Sequence, residues 1–510
     1  MSDILLINPC FNEHIGVFKN LGDVKIREPL NVLTLGSYIK KCGYDVKIID
    51  AVPYEEVNDN SYLKEIEKEL NNVKCVGISA MTAQIRNALF IAKFIKEKDP
   101  NVPVIWGGVH PTLFAEQTSI HQTVDAVIYG EGEETLKELM GLFDKAKGNI
   151  KNVNFSNVRG IVYKGKRNPP RELLDVNELP FLDHDLLDLS FYMPRGVPPV
   201  FSPKKRFRKL AMLSSRGCPY RCTFCINVIS GIKWRGMTSK RFLDEMEYLV
   251  DKYKLEFIKP LDENFFVNKK RVEEIIQGIK ERGIDVMWAS NLRANNFGDD
   301  YVSTSFAKKL RNSGFVFAPI GAESGSDRIL QYLKKDITVD QIINSAKVCS
   351  ESGIIPVYSW MIALPGETKK EMKSNVTVMK KICDICPSAR FYDNFIFRPY
   401  PGGELYEECK VLGLYEPKGL EEWSKVDIRI GYTSTEGLPW IKDRAFVEFL
   451  SANSQNIVYG FGKLWSFDRS ILKMLVALSA KIRWNLRFYS LYKQEVYLRR
   501  ALFNLFLRMK

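Results

Sequence analysis

The sequence predicts an α/β protein with two parallel sheets and a mostly helical C-terminal region. Short β-branched runs alternate with amphipathic stretches in residues 1–145, and the same alternation returns in residues 209–403. Proline-rich chain with one probable hairpin links them in residues 146–208, and residues 404–510 lose the strand pattern. Repeated βα units of this length predict parallel sheets that bind ligands at the carboxyl ends of their strands.

The bulk composition is that of a soluble globular protein, with 45% hydrophobic and 26% charged residues in a chain of 510. This length allows about three domains. The first residues resemble a buried strand rather than a signal peptide, because no basic segment precedes an apolar core. The apolar stretch Ile471 to Ile482 is interrupted by lysines and is shorter than the roughly 20 residues of a membrane helix. We therefore expect a cytoplasmic protein.

The front domain, residues 1–145, is predicted to be a doubly wound, Rossmann-like sheet. Strands are expected at Ile4–Asn8, Asp45–Asp50, Cys75–Ala80, Val102–Trp106 and Ala126–Tyr129. Helical patterns between them include Leu30–Lys41, Tyr62–Leu70, Ile85–Lys98 and Glu133–Phe143. Glycine-rich turns at the strand ends would let the backbone approach a ligand closely. A dinucleotide site is not favoured, because no G-x-G-x-x-G follows the first strand.

The central region, residues 209–403, is predicted to be a partial, TIM-like (βα)6 barrel. Strands are expected at Leu210–Ser215, Phe257–Leu261, Val286–Ser290, Val316–Gly321, Ile355–Ile362 and Arg390–Phe397. Barrel enzymes carry their chemistry at the carboxyl ends of such strands. Polar segments follow several of them, including Asp262-Glu263-Asn264, Asn291 with Arg293, and Glu323-Ser324.

Cys218, Cys222 and Cys225 form a C-x3-C-x2-C pattern in the loop after the first barrel strand. Three thiolates this close suit three corners of a [4Fe–4S] cluster, with the fourth iron open to another ligand. A zinc site usually needs four ligands, and no second pair of cysteines lies nearby. We interpret these cysteines as the metal-ligating and catalytic residues.

With this motif, and with Phe224 before its last cysteine, the chain resembles the radical S-adenosylmethionine (SAM) enzymes. The resemblance implies that the open iron chelates SAM and that one electron, from a protein such as flavodoxin or ferredoxin, cleaves it to a 5′-deoxyadenosyl radical. It also implies a set of SAM-binding residues at the strand ends: Phe224, Asp262, Glu263, Asn264, Arg293, Glu323 and Ser324. Carboxylates would face the SAM ammonium group, and Arg293 its carboxylate.

The front domain resembles the cobalamin-binding domain of B12 enzymes. Ser79-Ala-Met81 stands at that family's S-x-L position, and Gly107-Gly108 stands at its Gly-Gly pair. The family's D-x-H-x-x-G turn is replaced by Asn8-Pro-Cys-Phe-Asn12, and His14 is out of register, which implies cobalamin without histidine on cobalt. Cobalamin-dependent radical SAM enzymes share this departure, together with the strings GGVHPT and GEGEET. The implied cobalamin-binding residues are Ser79, Met81, Gly107, Gly108, His110, Gly130 and Glu131.

Other readings compete with these two. The front domain could be flavodoxin-like and bind nothing. A tRNA methylthiotransferase would hold a second cluster on Cys10, Cys42 and Cys75, but Cys42 lies in a helical pattern and Cys75 begins a strand. Cys383 and Cys386 form a C-x2-C in another helical pattern, and we expect them to be unligated thiols.

The net charge of +13 is concentrated at the end of the chain, where residues 461–510 contain eleven basic and two acidic residues. Aromatic residues are interleaved with these charges. The pattern suits either a helical cap with a solvated basic face or contact with an anionic membrane surface, whereas nucleic acid is a less favoured partner.

From these patterns we predict a radical SAM enzyme that uses cobalamin to methylate an unactivated carbon of a small-molecule or lipid substrate. The same architecture would also suit oxidative cyclisation or rearrangement. The alternative of another class is a non-catalytic redox or sensor protein that binds cobalamin and an iron–sulfur cluster.

Overall fold

Two sheets and a two-stranded ribbon organise the chain in the computed structural model. The structure describes residues 2–11, 27–55, 60–146, 152–193, 207–228, 233–426, 434–459 and 471–489. One sheet lies in the N-terminal part of the chain and the other in its centre, so the predicted α/β class is confirmed.

The front sheet has seven strands. They are β1 (Ile4–Asn8), β2 (Val46–Asp50), β3 (Cys75–Ser79), β4 (Val104–Gly107), β5 (Ala126–Ile128), β6 (Ile161–Tyr163) and β7 (Lys166–Arg167). Their spatial order is β2-β1-β3-β4-β5-β6-β7, with β1 to β5 parallel and the last two antiparallel. The predicted hairpin therefore extends the front sheet. The order reverses between β1 and β3, which is where ligands bind in open α/β sheets.

Helices cover both faces of the parallel part of this sheet. They are α1 (Leu30–Lys41), α2 (Val52–Glu55), α3 (Ser61–Leu70), α4 (Ile85–Lys98), α5 (Val109–Leu113), α6 (Ala115–Ser119) and α7 (Glu133–Lys145). Leu6 of β1 shares a core with Leu33 of α1, whereas its neighbour Leu5 shares another core with Ile91 of α4. Since side chains alternate across a strand, this explains why every residue of β1 is buried.

The central sheet is the predicted partial barrel. Its strands are β8 (Lys209–Met212), β11 (Phe257–Pro260), β12 (Met287–Ala289), β13 (Phe315–Glu323), β14 (Ile355–Ile362) and β15 (Arg390–Ile396). All six are parallel and adjacent in chain order, so β8 and β15 form its two edges. The ribbon of β9 (Ser215–Arg216) and β10 (Arg235–Gly236) encloses the cysteine loop.

The two faces of the barrel sheet differ in what covers them. Ile258 and Trp288 pack in the large core that includes the surrounding helices: α8 (Ser239–Tyr253), α9 (Lys269–Glu281), α10 (Thr304–Asn312), α11 (Asp327–Tyr332), α12 (Val339–Ser352) and α13 (Lys369–Ile385). Phe257 and Phe317 instead belong to a small core of strand residues and Phe207. This second set lies on the concave face, where the two rings stack with their centroids 5.9 Å apart.

The C-terminal region is helical where the structure describes it, as predicted. Its helices are α14 (Glu404–Val411), α15 (Leu420–Trp423), α16 (Arg444–Tyr459) and α17 (Ile471–Asn485). Leu405 of α14 packs beside Phe224, and Trp423 of α15 packs in the core of the front domain. The region therefore contacts both sheets. Within the described ranges, no helix has the length and apolar character needed to cross a membrane.

Candidate active site

The cysteine loop is anchored at several points. It leaves β9 through Gly217, whose φ is +82°. The Thr223 N–H donates to the Leu333 carbonyl at 3.0 Å, and the Thr223 carbonyl accepts from the Leu405 N–H at 3.1 Å. A Cβ on Gly403 would stand 2.9 Å from that same carbonyl. These contacts hold the loop at the carboxyl ends of the barrel strands.

Arg293 lies directly against the second cysteine. Its Nη1 is 3.7 Å from Cys222 Sγ, and its guanidinium carbon is 3.5 Å from the centroid of the Tyr220 ring. Its Nη2 donates to the Lys335 carbonyl. A guanidinium beside a cysteine sulfur can donate a hydrogen bond to that sulfur and offset the negative charge of a bound cluster. The surroundings of this cysteine therefore fit an iron–sulfur cluster.

The three cysteines of the loop are free thiols that lie close together. Burial raises the pKa of Cys225, and the charges of Cys222 and Cys218 raise it further. In the described part of the chain, no three Cys, His, Asp or Glu side chains surround a single metal ion. A cubane does not need that geometry, because its cysteines bind different irons. The donor set fits a [4Fe–4S] cluster better than a zinc ion.

Asp262 holds the segment that leads into this loop. It is fully buried, and its carboxylate accepts hydrogen bonds from the Ser214 N–H at 2.7 Å, the Ser214 hydroxyl at 2.6 Å and the Ser215 hydroxyl at 2.6 Å. Burial raises the pKa of Asp262, although these hydrogen bonds oppose the shift. Arg271 Nη2 also donates to the Ser214 hydroxyl at 2.8 Å. Asp262 thus ties the end of β11 to the end of β8.

Asn264 presents a buried acceptor at the end of β11. Its side chain is 3% exposed, and among the described residues its Oδ1 has no hydrogen-bond donor. Leaving such a group unsatisfied costs about 1–3 kcal/mol, which a bound ammonium or hydroxyl group would recover. The neighbouring Glu263 is exposed over part of its side chain, and desolvation of its carboxylate together with the charge of Asp262 raises its pKa. This strand end fits the amino group of SAM.

Glu323 forms a buried ion pair with Lys335 at the end of β13. Glu323 Oε1 lies 3.0 Å from Lys335 Nζ, and each side chain is 10% exposed. A Cβ on Gly321 would stand 2.9 Å from that Nζ, so glycine makes room for the pair. Lys335 Nζ also lies 5.6 Å from the centroid of the Phe224 ring. Lys335 thus links three residues of the site: its Nζ lies near Glu323 and Phe224, and its carbonyl accepts from Arg293, which contacts Cys222.

Strained backbone is concentrated at the same edge of the barrel. Glu323 ends β13 and Ala363 follows β14, and both have φ of +63°. Lys334 and Asp336, which flank Lys335, have φ of +48° and +53°. Non-glycine residues with positive φ cost of order 1–3 kcal/mol each, and such residues cluster at active sites.

Ser324 continues the turn after Glu323 and is fully buried. Its Oγ accepts a hydrogen bond from the Ser326 N–H at 3.2 Å. The next residue, Gly325, donates its N–H to Asn375 Oδ1 at 2.6 Å. The turn is therefore held by its own polar contacts next to the ion pair.

Glycine turns shape the carboxyl edge of the front sheet. Gly108 has φ of +94°, and a Cβ there would stand 2.8 Å from Ser79 Oγ, which accepts from Asn31 Nδ2 at 2.8 Å. A Cβ on Gly107 would meet its nearest atom at 3.7 Å, and one on Gly130 would meet nothing within 4 Å. The edge combines one tightly packed turn with open backbone, which fits close approach by a large cofactor such as cobalamin.

Buried hydrogen bonds connect the first three strands at this edge. Gln84 accepts from the Met81 N–H at 2.8 Å and donates to Asn8 Oδ1 at 3.2 Å and to the Pro9 carbonyl at 2.6 Å. Asn8 Nδ2 donates to Asp50 Oδ1 at 2.7 Å. The Met81 side chain stays exposed. The turn after β1 is described only as far as residue 11, and His14 lies outside the described residues.

His110 is enclosed rather than open to this edge. Its ring packs 5.1 Å from the Phe114 ring and 5.2 Å from the Trp423 ring, centroid to centroid. Its Nδ1 lies 3.2 Å from Thr82 Oγ1. Burial lowers the pKa of His110 to about 3, so the ring is neutral at physiological pH. His110 joins the front domain to helix α15.

Ion pairs join the turn after β5 to the ribbon that carries the cysteines. Arg216 Nη1 lies 3.3 Å from Glu131 Oε1, Arg216 Nη2 pairs with Glu133, and Arg235 also pairs with Glu131. Burial raises the pKa of Glu131, but Arg235 and Arg216 outweigh it and hold that pKa below its ordinary value. We name these four residues the carboxylate–arginine joint. It connects the predicted cobalamin-binding turn to the residue two positions before Cys218.

The other cysteines do not form the arrangement that a methylthiotransferase would need. Cys10 follows the carboxyl end of β1, whereas Cys75 begins β3 opposite Ile4. Cys10 lies six residues beyond Ile4 along the chain, so it is roughly 20 Å from the level of Cys75, which is too far for one cluster. Cys383 and Cys386 are buried and form no disulfide.

Several residues of the site were not predicted from the sequence. Lys335 reaches Phe224 of the cysteine loop only through the fold, and no spacing distinguishes it from the other lysines. Tyr220 lies within the loop, between Cys218 and Cys222, and was overlooked. Glu133, by contrast, lies within the GEGEET string, and Arg216 lies two residues before the first cysteine of the C-x3-C-x2-C motif. The opposite charges of these two motifs were the signal that could have predicted the joint.

Comparison with known proteins agrees with this architecture. The Radical SAM superfamily matches residues 212–377, and the B12 binding domain matches residues 25–140. An uncharacterized methyltransferase of Pyrococcus horikoshii, PH0819, is 33% identical over 430 residues, which are 82% of this chain and 87% of that protein. The anaerobic magnesium-protoporphyrin IX monomethyl ester cyclase of Rubrivivax gelatinosus is 24% identical over 414 residues, covering 79% of this chain and 69% of that protein.

A solved structure supports the fold over nearly the whole chain. The radical S-adenosylmethionine methyltransferase TsrM from Kitasatospora setae, with cobalamin and a [4Fe–4S] cluster bound, superposes with a TM-score of 0.64 at 16% identity. The match covers 94% of this chain and 99% of that chain.

The fold and the cysteine loop define a radical SAM enzyme with a B12-binding front domain. The chain belongs to the cobalamin-dependent radical SAM enzymes, and its cofactors are a [4Fe–4S] cluster, SAM and cobalamin. The reading of the front domain as a sheet that binds nothing is therefore wrong, and a non-catalytic redox or sensor protein is not supported.

Proposed function

We propose that this enzyme transfers a methyl group to an unactivated carbon of an anionic or lipid-like substrate. The observation that carries the proposal is the carboxylate–arginine joint, which links the glycine-lined edge of the front sheet to the cysteine loop. The bound cofactors supply an electron, a hydrogen-abstracting radical and a methyl donor. Methyl donor and substrate must meet in a defined geometry, so the two domains need a fixed relation.

Residues around Cys222 are proposed to bind SAM. Asn264 and Glu323 offer acceptors for its ammonium and hydroxyl groups, and Arg293 with Lys335 offers cations for its carboxylate. The proposed set of SAM-binding residues also includes Glu263 beside Asn264, Ser324 in the turn after β13 and Phe224 in the cysteine loop. Asp262 would act by positioning the loop, because its carboxylate is engaged by serines.

Cobalamin is proposed to lie along the carboxyl edge of the front sheet. The residues proposed to face it are Ser79, Met81, Gly107, Gly108 and Gly130. His110 and Glu131 would support the surrounding turns, since one is enclosed by aromatic rings and the other is paired with arginines. We expect no histidine on cobalt, which the electron paramagnetic resonance spectrum of the reduced cofactor tests. Splitting by a histidine nitrogen would contradict this expectation.

Anaerobic reconstitution of the full chain with iron, sulfide and cobalamin tests the reaction. After reduction, by dithionite or by a flavodoxin or ferredoxin, SAM should yield 5′-deoxyadenosine. Cys222→Ala should yield none, whereas Cys42→Ala, a control outside the loop, should match the wild type. Label from methyl-labelled SAM should then appear in a product of a cell extract. If SAM is cleaved but its methyl label enters no product, methyl transfer is the wrong proposal.

Oxidative cyclisation is the second candidate, favoured by the similarity to the magnesium-protoporphyrin cyclase. It would use the same cysteine loop and front domain. The distinguishing result is a product that loses hydrogen and gains a ring without label from SAM.

Contact with an anionic membrane surface is proposed for helix α17 and its end. Leu478, Ile482 and Leu486 are 37%, 47% and 72% exposed and recur every four residues, so they share one face. Lys481 and Arg487 adjoin this face, and basic charge beside exposed apolar side chains suits anionic lipid headgroups. The full chain should co-sediment with phosphatidylglycerol vesicles more than with phosphatidylcholine vesicles.

Two variants test the membrane contact. Ile482→Asp should reduce sedimentation with phosphatidylglycerol vesicles, whereas Val411→Asp, which changes an 88% exposed residue of α14, should not. Equal binding by both variants would reject the contact at α17.

A further inference from the structure

Lys259 is a cation on the concave face of the barrel. It lies two residues after Phe257 in β11, so the two side chains share a face. Its Nζ lies 5.8 Å from the centroid of the Phe317 ring, which stacks on Phe257. An ammonium group beside an apolar ring in the barrel loses hydration, and this loss is costly without a compensating charge.

The segment of the front domain that contains Arg27 and Glu28 contacts the barrel next to Lys259. Lys259 is paired in register with Ala211 of the edge strand β8. The Ala211 N–H donates to Glu28 Oε1 at 3.0 Å, which brings the adjoining Arg27 to this edge. Lys209 lies two residues before Ala211 and so shares its face of β8. The concave face therefore gathers positive charge at its open edge.

The charges that act on Lys259 in the described part of the chain are positive. Burial lowers the pKa of Lys259 to about 8, and the charges of Arg27 and Lys209 add to the shift. Glu28 is close to Arg27, but its carboxylate accepts from the backbone and burial raises its pKa. Burial raises the pKa of Tyr392 in β15, the opposite edge strand, and the charge of Arg27 opposes this shift. Arg27 thus acts on groups from both edges of the barrel.

We propose that Lys259 and Arg27 bind an anionic oxygen group of the substrate, a carboxylate or a phosphate, inside the barrel. Such a group would compensate the charge of Lys259 and accept its N–H donors. This inference rests on the proposed chemistry at the cysteine loop.

The position of Lys259 also constrains the length of the substrate. Lys259 precedes Asp262, at the strand end, by three residues, or about 10 Å of strand. The substrate should be elongated, with its anionic group about that far from the carbon that reacts.

Competitive acetylation of the reconstituted full chain tests this site. Trace acetic anhydride labels lysine amines, and mass spectrometry reads Lys259 against Lys308, an exposed lysine of α10. Decyl phosphate or decanoate should reduce labelling of Lys259 about tenfold without affecting Lys308, and decanol should not. Protection by only one of the two anions identifies the group that is bound. Equal protection by decanol, or protection by neither anion, would overturn the proposal.

Variants of Lys259 keep the test independent of radical chemistry. Lys259→Gln should weaken binding of the protecting anion about tenfold, Lys259→Arg should retain most of it, and Lys308→Gln should leave it unchanged. Release of 5′-deoxyadenosine from SAM alone should be equal in Lys308→Gln and the wild type. Its absence in both proteins would reject the proposed function, whereas unchanged anion binding by Lys259→Gln would reject the anion site.

Discussion

Two groups of cations occupy neighbouring parts of this molecule, and their surroundings differ. Arg216 and Arg235 of the carboxylate–arginine joint contact Glu131 and Glu133, with all four side chains less than 20% exposed. The charges acting on Lys259 are positive. A paired, largely buried cation holds two parts of a fold together, whereas a cation without an opposite charge beside it favours an incoming anion. The difference separates a structural role from a binding role for the same type of charge.

Arg216→Met should cause the largest loss of stability. It removes the partner that Glu131 and Glu133 share, and breaking a buried pair costs about 3–5 kcal/mol. Denaturant unfolding of the anaerobic holoenzyme measures the free energy, and iron per chain reports the cysteine loop. Unchanged unfolding and full iron content would show that the joint does not hold the two domains.

Glu245→Gln should change how stability depends on pH. Glu245 shares a small cavity with Arg216, accepts from the Leu182 N–H at 2.9 Å, and lies 3.6 Å from Arg241. Burial raises the pKa of Glu245 from 4.5 to about 7, so the folded state retains a proton that the unfolded state loses between these values. Wild-type stability should therefore fall as the pH rises through this window.

The Glu245→Gln variant should lack that fall, which amounts to about 1–3 kcal/mol. Thermal unfolding of the wild type and the variant at pH 4.5 and at about pH 7 measures this difference. The same pH dependence in variant and wild type would show that Glu245 is not the responsible group.

Lys259→Gln should leave the free energy of unfolding unchanged or raise it by about 1 kcal/mol, in contrast to Arg216→Met. Its folded-state pKa of about 8 lies below the ordinary 10.5, so wild-type stability should rise between these pH values. Denaturant unfolding across this range should show the rise in the wild type and its absence in the variant. If Lys259→Gln instead lowered the free energy of unfolding by several kcal/mol, Lys259 would have a structural role like that of Arg216.

Lys240→Ala should have the smallest effect. Its ion pair with Asp244 spans 2.7 Å, but Lys240 is 81% exposed. Water and salt weaken such pairs, so we expect a loss of at most about 0.5 kcal/mol in the same unfolding experiment. A loss comparable to that of Arg216→Met would mean that burial does not distinguish the joint.

The long, strongly patterned elements were the most predictable part of the fold. Leu30–Lys41, Ile85–Lys98 and Ile355–Ile362 have the bounds that their periodicity predicted. The hairpin was predicted as part of the link, yet it pairs with β5. Alternating hydrophobicity predicts a strand but does not specify its neighbour, because pairing depends on contacts between distant segments.

The candidate site divides in the same way. The cysteine pattern could be recognised because its ligands lie within eight consecutive residues, so their chemistry is local. Lys335 carries no local signal and meets Glu323 only when β13 is in place. The segment of Arg27 and Glu28 reaches β8 only when the front domain is in place. Asp262 follows β11, but its carboxylate is engaged with Ser214 and Ser215, which no spacing indicated.

The sequence by itself determined the two βα repeats, the cysteine loop and the glycine turns, because each depends on local periodicity or on a short motif. Only the tertiary structure decided which charges are paired. It placed the acidic turn after β5 against Arg216 and Arg235, and left Lys259 beside aromatic rings and other cations. The physical reason is that electrostatic compensation depends on distance and burial in space, and neither follows from separation along the chain.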